Sequence, residues 1–192
     1  LRVIGESTAD FVVFNLRDKP INLLEIGIGT MLQNVPVSMF GHNLPGYRPG
    51  ASLRAWGEFF ERGHIYGIDT QPDTMTAHDR DAQIRTALVD STNTIEVTAF
   101  MHSAPNFDII IDDGSHLVDD QLATLFNFYA YMRPGGYYII EDVNRVDPNQ
   151  PRLPIDRKHQ LDEITTGDGL WFVASFPKAD VVVISRRGQR EY

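Results

Sequence analysis

The sequence predicts an α/β fold: a mainly parallel seven-stranded sheet that ends in a C-terminal antiparallel hairpin, with helices on both faces. Three observations carry this. Short apolar, β-branched runs alternate with helical patterns, as in a parallel sheet built from strand–helix–strand units. Several of the runs are almost wholly apolar until they end in acids or glycines, the pattern of strands buried on both faces. The last two runs are separated only by Pro177-Lys178-Ala179, too short for a parallel crossover, so they pair as a hairpin.

The predicted strands, in order, are Leu23–Ile28, His64–Asp69, Ile84–Val89, Phe107–Asp112, Tyr137–Asp142, Leu170–Phe176 and Asp180–Ser185. A helix is expected over Ser52–Arg62, with Ser52 as its N-cap and Leu53, Trp56, Phe59 and Phe60 on its inner side. The clearest helix follows Asp119 and Asp120, acids that suit a helix N-terminal dipole. Leu122, Leu125, Phe126 and Tyr129 recur there at i, i+3, i+4 and i+7, one face of a helix. Arg133-Pro134-Gly135-Gly136 is expected to stop it and turn the chain into the next strand. Gln33–Gly50 and Val143–Thr166 read as long loops, which in compact domains often carry function.

The chain has 192 residues, the size of one domain, and residues 1–192 are expected to form one, with 1–20 as a lead-in. It opens at Leu1 rather than Met, so an N-terminal piece is expected to be missing. A hydrophobic fraction of 42% supports a packed core. The formal net charge of −9 argues against nonspecific binding to nucleic acid or to an anionic membrane. Cysteine is absent, which excludes disulfides, zinc-thiolate sites, iron–sulfur clusters and a cysteine nucleophile. No apolar run reaches the ~18 residues of a membrane span, and the expected location is cytoplasmic.

Four motifs carry chemistry. Leu24-Glu25-Ile26-Gly27-Ile28-Gly29 places glycines at the end of the first strand, where backbone can approach a ligand closely. It is not a dinucleotide fingerprint: Leu32 holds the third glycine position, and Asp69 lies 40 residues beyond Gly29 where that pattern expects an acid at ~20. Tyr66-Gly67-Ile68-Asp69 puts an acid at the tip of the second strand, a place for ribose hydroxyls or for a helix cap. Asp90 ends the third strand, near an adenine or simply in a turn.

Phe107-Asp108-Ile109-Ile110-Ile111-Asp112-Asp113-Gly114-Ser115-His116 and Tyr138-Ile139-Ile140-Glu141-Asp142 each end a buried strand in adjacent carboxylates. If the two strands are neighbours, their ends lie roughly 5 Å apart. Crowded carboxylates repel unless one is protonated or a cation intervenes. Oxygen ligands suit a hard cation, Mg2+ before Ca2+ or Mn2+. Helix caps or pairing with Arg145, Arg152 or Arg157 are the alternatives. His116 follows Asp113 by three residues, where a neutral imidazole can take a proton. Ser115 lacks the G-x-S-x-G setting of a nucleophile. His42, His64, His78, His102 and His159 have no evident constellation.

Leu24–Gly29, Asp69, Asp112 and the final hairpin together resemble the Rossmann-like class I S-adenosylmethionine (SAM) dependent methyltransferases. More narrowly, Pro49-Gly50-Ala51-Ser52-Leu53-Arg54-Ala55-Trp56, Asp112–His116 and Glu141-Asp142 resemble the Mg2+-dependent O-methyltransferases that modify sugars of macrolides and related antibiotics. The resemblance runs from about Leu23 to Val143. It implies that Glu25, Gly27 and Gly29 line SAM, with Asp69 on its ribose hydroxyls. It puts Asp90 and Ser91 near the adenine, Ser52 near the methionine end and Asp112 close to the cofactor. Asp113, Glu141 and Asp142 would hold Mg2+, and His116 would be the general base. The partner would be the hydroxyl of a glycosylated natural product, and the protein could be a homo-oligomer; no nucleic-acid or membrane partner is expected. Known macrolide-sugar members are longer and carry an N-terminal region, whereas about twenty residues precede the first strand here. A cephalosporin-biosynthesis group shares much of the architecture. A noncatalytic SAM- or nucleotide-binding domain and an NAD(P)-dependent oxidoreductase are the other readings. Tyr47, Trp171 and Phe172 could stack on an acceptor or pack as core or lid.

Overall fold

The computed structural model describes residues 15–35, 38–42, 44–76, 82–143, 171–176 and 181–186. Its strands are β1 (Asn22–Ile26), β2 (His64–Asp69), β3 (Ile84–Leu88), β4 (Phe107–Asp112), β5 (Met132–Ile140), β6 (Trp171–Phe176) and β7 (Val181–Arg186). Its helices are α1 (Ala51–Phe59), α2 (Thr94–Met101) and α3 (Val118–Phe128). One sheet joins the strands in the order β3-β2-β1-β4-β5-β7-β6. β1 to β5 run parallel, and β7 lies antiparallel to both β5 and β6.

Alternation along the strands sends side chains to two cores. Leu24, Ile26, Ile110, Tyr138 and Ile140 face one side, where Val97 and Met101 of α2 and Leu125 and Phe128 of α3 cover them. Leu23, Ile65, Ile109, Ile111 and Ile139 face the other side, covered by Leu53 and Phe60. Burying each such Leu, Ile or Phe side chain contributes about 1.5–3 kcal/mol. The central strands therefore cannot slip register without exposing one core.

Several boundaries differ from expectation. α1 runs Ala51–Phe59, not Ser52–Arg62, and its N-cap is Gly50 in the left-handed region (φ 72). Ser52 does not cap because its hydroxyl is committed to Glu25. α3 begins a turn before the expected apolar face, so Val118, Leu122, Leu125 and Phe128 point inward and Phe126 is left 39% exposed. α3 ends before Arg133-Pro134-Gly135-Gly136, which instead lies inside β5 and makes its bulge, between Met132 paired with Phe107 and Tyr137 paired with Ile109.

α2 is an element the periodicity did not reveal. It is built by its cap. Asn93 Oδ1 accepts from the N–H groups of Ile95 and Glu96, and the Glu96 carboxylate takes the Asp90 N–H and the Asn93 amide. Asn followed three residues later by Glu is a capping signature that the sequence did carry. The hairpin turn, most of Val143–Thr166 and part of Gln33–Gly50 lie outside the described residues. Among the described residues, no helix is long and apolar enough to cross a membrane.

Candidate metal and cofactor site

The sheet order brings the carboxyl ends of β1, β2, β4 and β5 side by side. Asp112 stands opposite Ile26 on one side and Ile140 on the other. The Asp113 N–H bonds to Ile26 O at 2.9 Å, and the Glu141 N–H bonds to Asp112 O at 2.9 Å. The two acidic motifs thus stand side by side at the carboxyl edge, the region where open α/β sheets bind ligands.

The glycine turn follows β1. Gly27 and Gly29 both have positive φ, 83° and 77°. A Cβ on Gly27 would overlap the Asp113 carbonyl, and one on Gly29 would overlap the Tyr47 hydroxyl. Glycine at Gly27 lets the two acid-bearing turns meet. Asp69 closes the other flank: its Oδ2 accepts the Ile28 N–H at 3.0 Å and its Oδ1 the Gln71 N–H at 2.9 Å. Burial raises Asp69 from the ordinary carboxylate range, with the backbone N–H of Ile28 acting against it.

Glu25 is 3% exposed. Its Oε1 accepts from Ser52 Oγ, while Oε2 is buried without a hydrogen-bond partner. Burial pushes its pKa up to about 8, with a further push from Glu141 and against the pull of the Ser52 hydroxyl and of the Trp56 side chain beside it. Asp112 is 2% exposed and accepts from the Gly114 N–H and the Tyr138 hydroxyl, both at 3.3 Å. Burial lifts it to about 7.

Asp113 is pushed to about 8 by burial and then by Glu141, Glu25, Asp142 and Asp112 around it. Glu141 is also raised, by burial and by Asp142. A group of carboxylates that resists ionisation together is one that a cation would stabilise. His116 Nε2 lies 3.9 Å from Asp113 Oδ1 and 3.9 Å from Asp142 Oδ2. One donor atom from each of these three residues falls within 4.8 Å of the others. His116 (φ 60) and Asp142 (φ 52) both hold the left-handed backbone that side chains rarely adopt. Strain of this kind persists only where its surroundings fix it, and it clusters at functional sites. The Asp113–Asp142 pair fits a hard cation. Of the expected metal set, the structure brings these two together with His116, and Glu141 is not one of the three.

Other expected site residues have local partners. Asp90 Oδ1 accepts from the Thr92 N–H and hydroxyl at 2.9 and 2.7 Å, an Asx turn. Ser91 Oγ is 2.9 Å from Thr124 Oγ1, tying this turn to α3. The roles of three residues escaped sequence reasoning. Asp73 accepts from Thr30 Oγ1 at 2.6 Å and the Met31 N–H at 2.8 Å, pinning the chain after the glycine turn. Thr30 O in turn accepts the Met39 N–H. Tyr138 fixes Asp112. Ser115, excluded as a nucleophile, donates to Asp120 Oδ2 at 2.6 Å and so orders the loop before α3. Tyr138 and Ser115 stand in the acidic motifs of the sequence, but nothing in the pattern says what either holds, and Asp73, four residues past Asp69, belongs to no motif. The side chains of Trp171 and Phe172 lie outside the described residues.

No family model matches the chain. It is 35% identical over 127 residues to demethylmacrocin O-methyltransferase of Streptomyces fradiae, covering 66% of this chain and 28% of that enzyme. It is 34% identical over 127 residues to mycinamicin VI 2''-O-methyltransferase of Micromonospora griseorubida, again 66% of this chain and 28% of that enzyme. The matched segment therefore spans less than a third of these curated relatives. Among solved structures, the MycE methyltransferase of the mycinamycin biosynthetic pathway, in complex with Mg and SAH, superposes with a TM-score of 0.71 at 26% identity, covering 95% of this chain and 49% of that one.

Proposed function

We propose that this chain, which has the class I methyltransferase fold and is a sequence relative of macrolide-sugar O-methyltransferases, is a SAM- and Mg2+-dependent O-methyltransferase acting on a hydroxyl of a glycosylated small molecule. The observation that carries the reading is the carboxyl edge itself. Glycine turn, Asp69 and buried Glu25 stand on one side, and Asp113 and Asp142 meet on the other.

On this reading Glu25, Gly27, Gly29, Ser52 and Asp69 hold SAM, with Asp90, Ser91 and Asp112 nearby. Asp113 and Asp142, with Glu141 beside them, hold Mg2+. A hydroxyl is a weak nucleophile at neutral pH because its proton is held tightly. Bound Mg2+ would supply Lewis-acid polarisation of that hydroxyl and help to orient it. His116, flanked by Asp113 and Asp142, would take the proton of the acceptor hydroxyl, and bound SAM would supply the methyl group that the acceptor oxygen receives. Because SAM would bring a methyl group already activated by its sulfonium charge, the protein contributes mainly alignment and proximity. Asp69 keeps the glycine turn in place through Ile28, and Tyr138 keeps Asp112 in place, so the acids are set before ligand arrives.

The acceptors named for relatives, demethylmacrocin and mycinamicin VI among them, make a macrolide or related polyketide glycoside the acceptor class to test first. The test is calorimetric titration of SAM with Mg2+ and then with EDTA, followed by release of S-adenosylhomocysteine from a panel of glycosides. Micromolar SAM binding and Mg2+-dependent release are expected. SAM binding without turnover on any acceptor would favour a noncatalytic domain, and no SAM binding would overturn the reading.

A further inference from the structure

At the acidic edge, His116 (φ 60) and Asp142 (φ 52) hold left-handed backbone in two different turns, one after β4 and one after β5. Both turns are tied to the start of α3, by its adjacent residues Asp120 and Gln121.

Asp120 Oδ2 accepts from Ser115 Oγ at 2.6 Å, and Ser115 Oγ accepts the Leu117 N–H at 3.3 Å. The residues on either side of His116 are thereby joined to each other and to the helix. Gln121 serves the other turn: its Nε2 donates to Glu141 O at 3.1 Å. The Glu141 N–H is bonded to Asp112 O at 2.9 Å, so the peptides before and after Glu141 are both held. The second of them is the peptide that precedes Asp142, and φ of Asp142 is the rotation away from its plane.

Gln121 is 2% exposed, and its Oε1 is buried with no hydrogen-bond partner among the described residues. A Leu or Met of similar size would fill this space without burying a lone acceptor. What the glutamine adds is the amide N–H on Glu141 O. Without that bond the 141–142 peptide can turn over, and Asp142 can relax to the negative φ that a non-glycine residue prefers. Its carboxylate then leaves the place where Oδ2 stands 3.9 Å from His116 Nε2.

We propose that Gln121 is a positioning residue for the metal group: it holds the peptide before Asp142 so that the Asp142 carboxylate faces Asp113 and His116. It acts through the backbone and is not one of the three grouped residues. The proposal rests on Asp113 and Asp142 binding Mg2+. Removing a partner that orients a metal ligand typically costs about 10–100-fold in metal affinity.

The test is calorimetric titration of Mg2+ into the full chain with SAM present, with SAM affinity measured beside it. Gln121→Met keeps the length of the side chain and loses the donor. It should weaken Mg2+ by about tenfold or more and leave SAM within about twofold, a split that a general loosening of the fold would not produce. Gln121→Asn keeps the amide but is one methylene too short to reach Glu141 O. It should show the same split, and it carries the test if Gln121→Met does not fold. Mg2+ affinity within about twofold of the unaltered chain would overturn the proposal and leave Gln121 as the partner of a strand-end carbonyl. Equal losses of Mg2+ and SAM affinity would overturn it as well. Failure of the unaltered chain to bind Mg2+ would instead remove the metal reading itself, and the proposal with it.

Discussion

Glu25→Gln gives the sharpest physical test of the site without any ligand. Glu25 sits at 3% exposure with one carboxylate oxygen on Ser52 and the Trp56 side chain beside the group. Burial first, and Glu141 after it, raise its pKa from 4.5 to about 8. The folded state therefore holds a proton that the unfolded chain releases at lower pH. The stabilising contribution is fully present below the ordinary glutamate pKa and is lost as pH rises through about 8. Integrated between about pH 5 and about pH 8, one such group costs on the order of 3 kcal/mol of stability. Asp113, also lifted to about 8 and coupled to Glu25, adds to the same slope. Glutamine keeps the shape and the Ser52 bond and cannot ionise. Urea unfolding of the metal-free protein at several pH values reads the effect. The unaltered chain should lose stability steadily across that range, and Glu25→Gln should lose markedly less. The amide adds a pH-independent offset, so the slope and not the absolute stability decides. Parallel slopes in the two proteins would refute the reasoning and mean that Glu25 is ionised in the fold.

Three further outcomes follow from the geometry. Gly27→Ala meets a φ of 83° and the Asp113 carbonyl; the backbone conformation alone costs roughly 1–3 kcal/mol, so the melting temperature should fall by about 2–12 °C and Mg2+ affinity should fall with it. An unchanged melting curve would show that the turn yields freely. Asp73→Asn can accept from only one of Thr30 Oγ1 and the Met31 N–H; SAM affinity should drop about tenfold with Mg2+ affinity unchanged, and equal SAM affinity by calorimetry would show that the pinned loop does not shape the cofactor site. His116→Ala should lower turnover by about 10²–10⁴-fold with SAM affinity within about twofold; full turnover across neutral pH would remove His116 as the base.

The sequence by itself determined the alternation of strands and helices, the antiparallel end and the strand tips that bear acids. These are local properties: a strand buried on both faces must be apolar along its length, so polar residues appear where it emerges. Asp69, Asp112, Asp113, Glu141 and Asp142 were visible for that reason, whereas Glu25, buried inside β1, entered only through the family resemblance. Tertiary structure decided which of them meet. Only the placing of β4 between β1 and β5 sets Asp113 beside Asp142 and His116 while leaving Glu141 outside that group of three. The partners of Ser52, Asp73, Tyr138 and Tyr47 were invisible because each reaches across strands or loops far apart in the chain, as Ser52 does to Glu25 over 27 positions and Asp73 to Thr30 over 43. Hydrophobic periodicity reports burial; it carries no information about which buried polar atom a side chain will find, because that depends on the packing of the whole sheet edge.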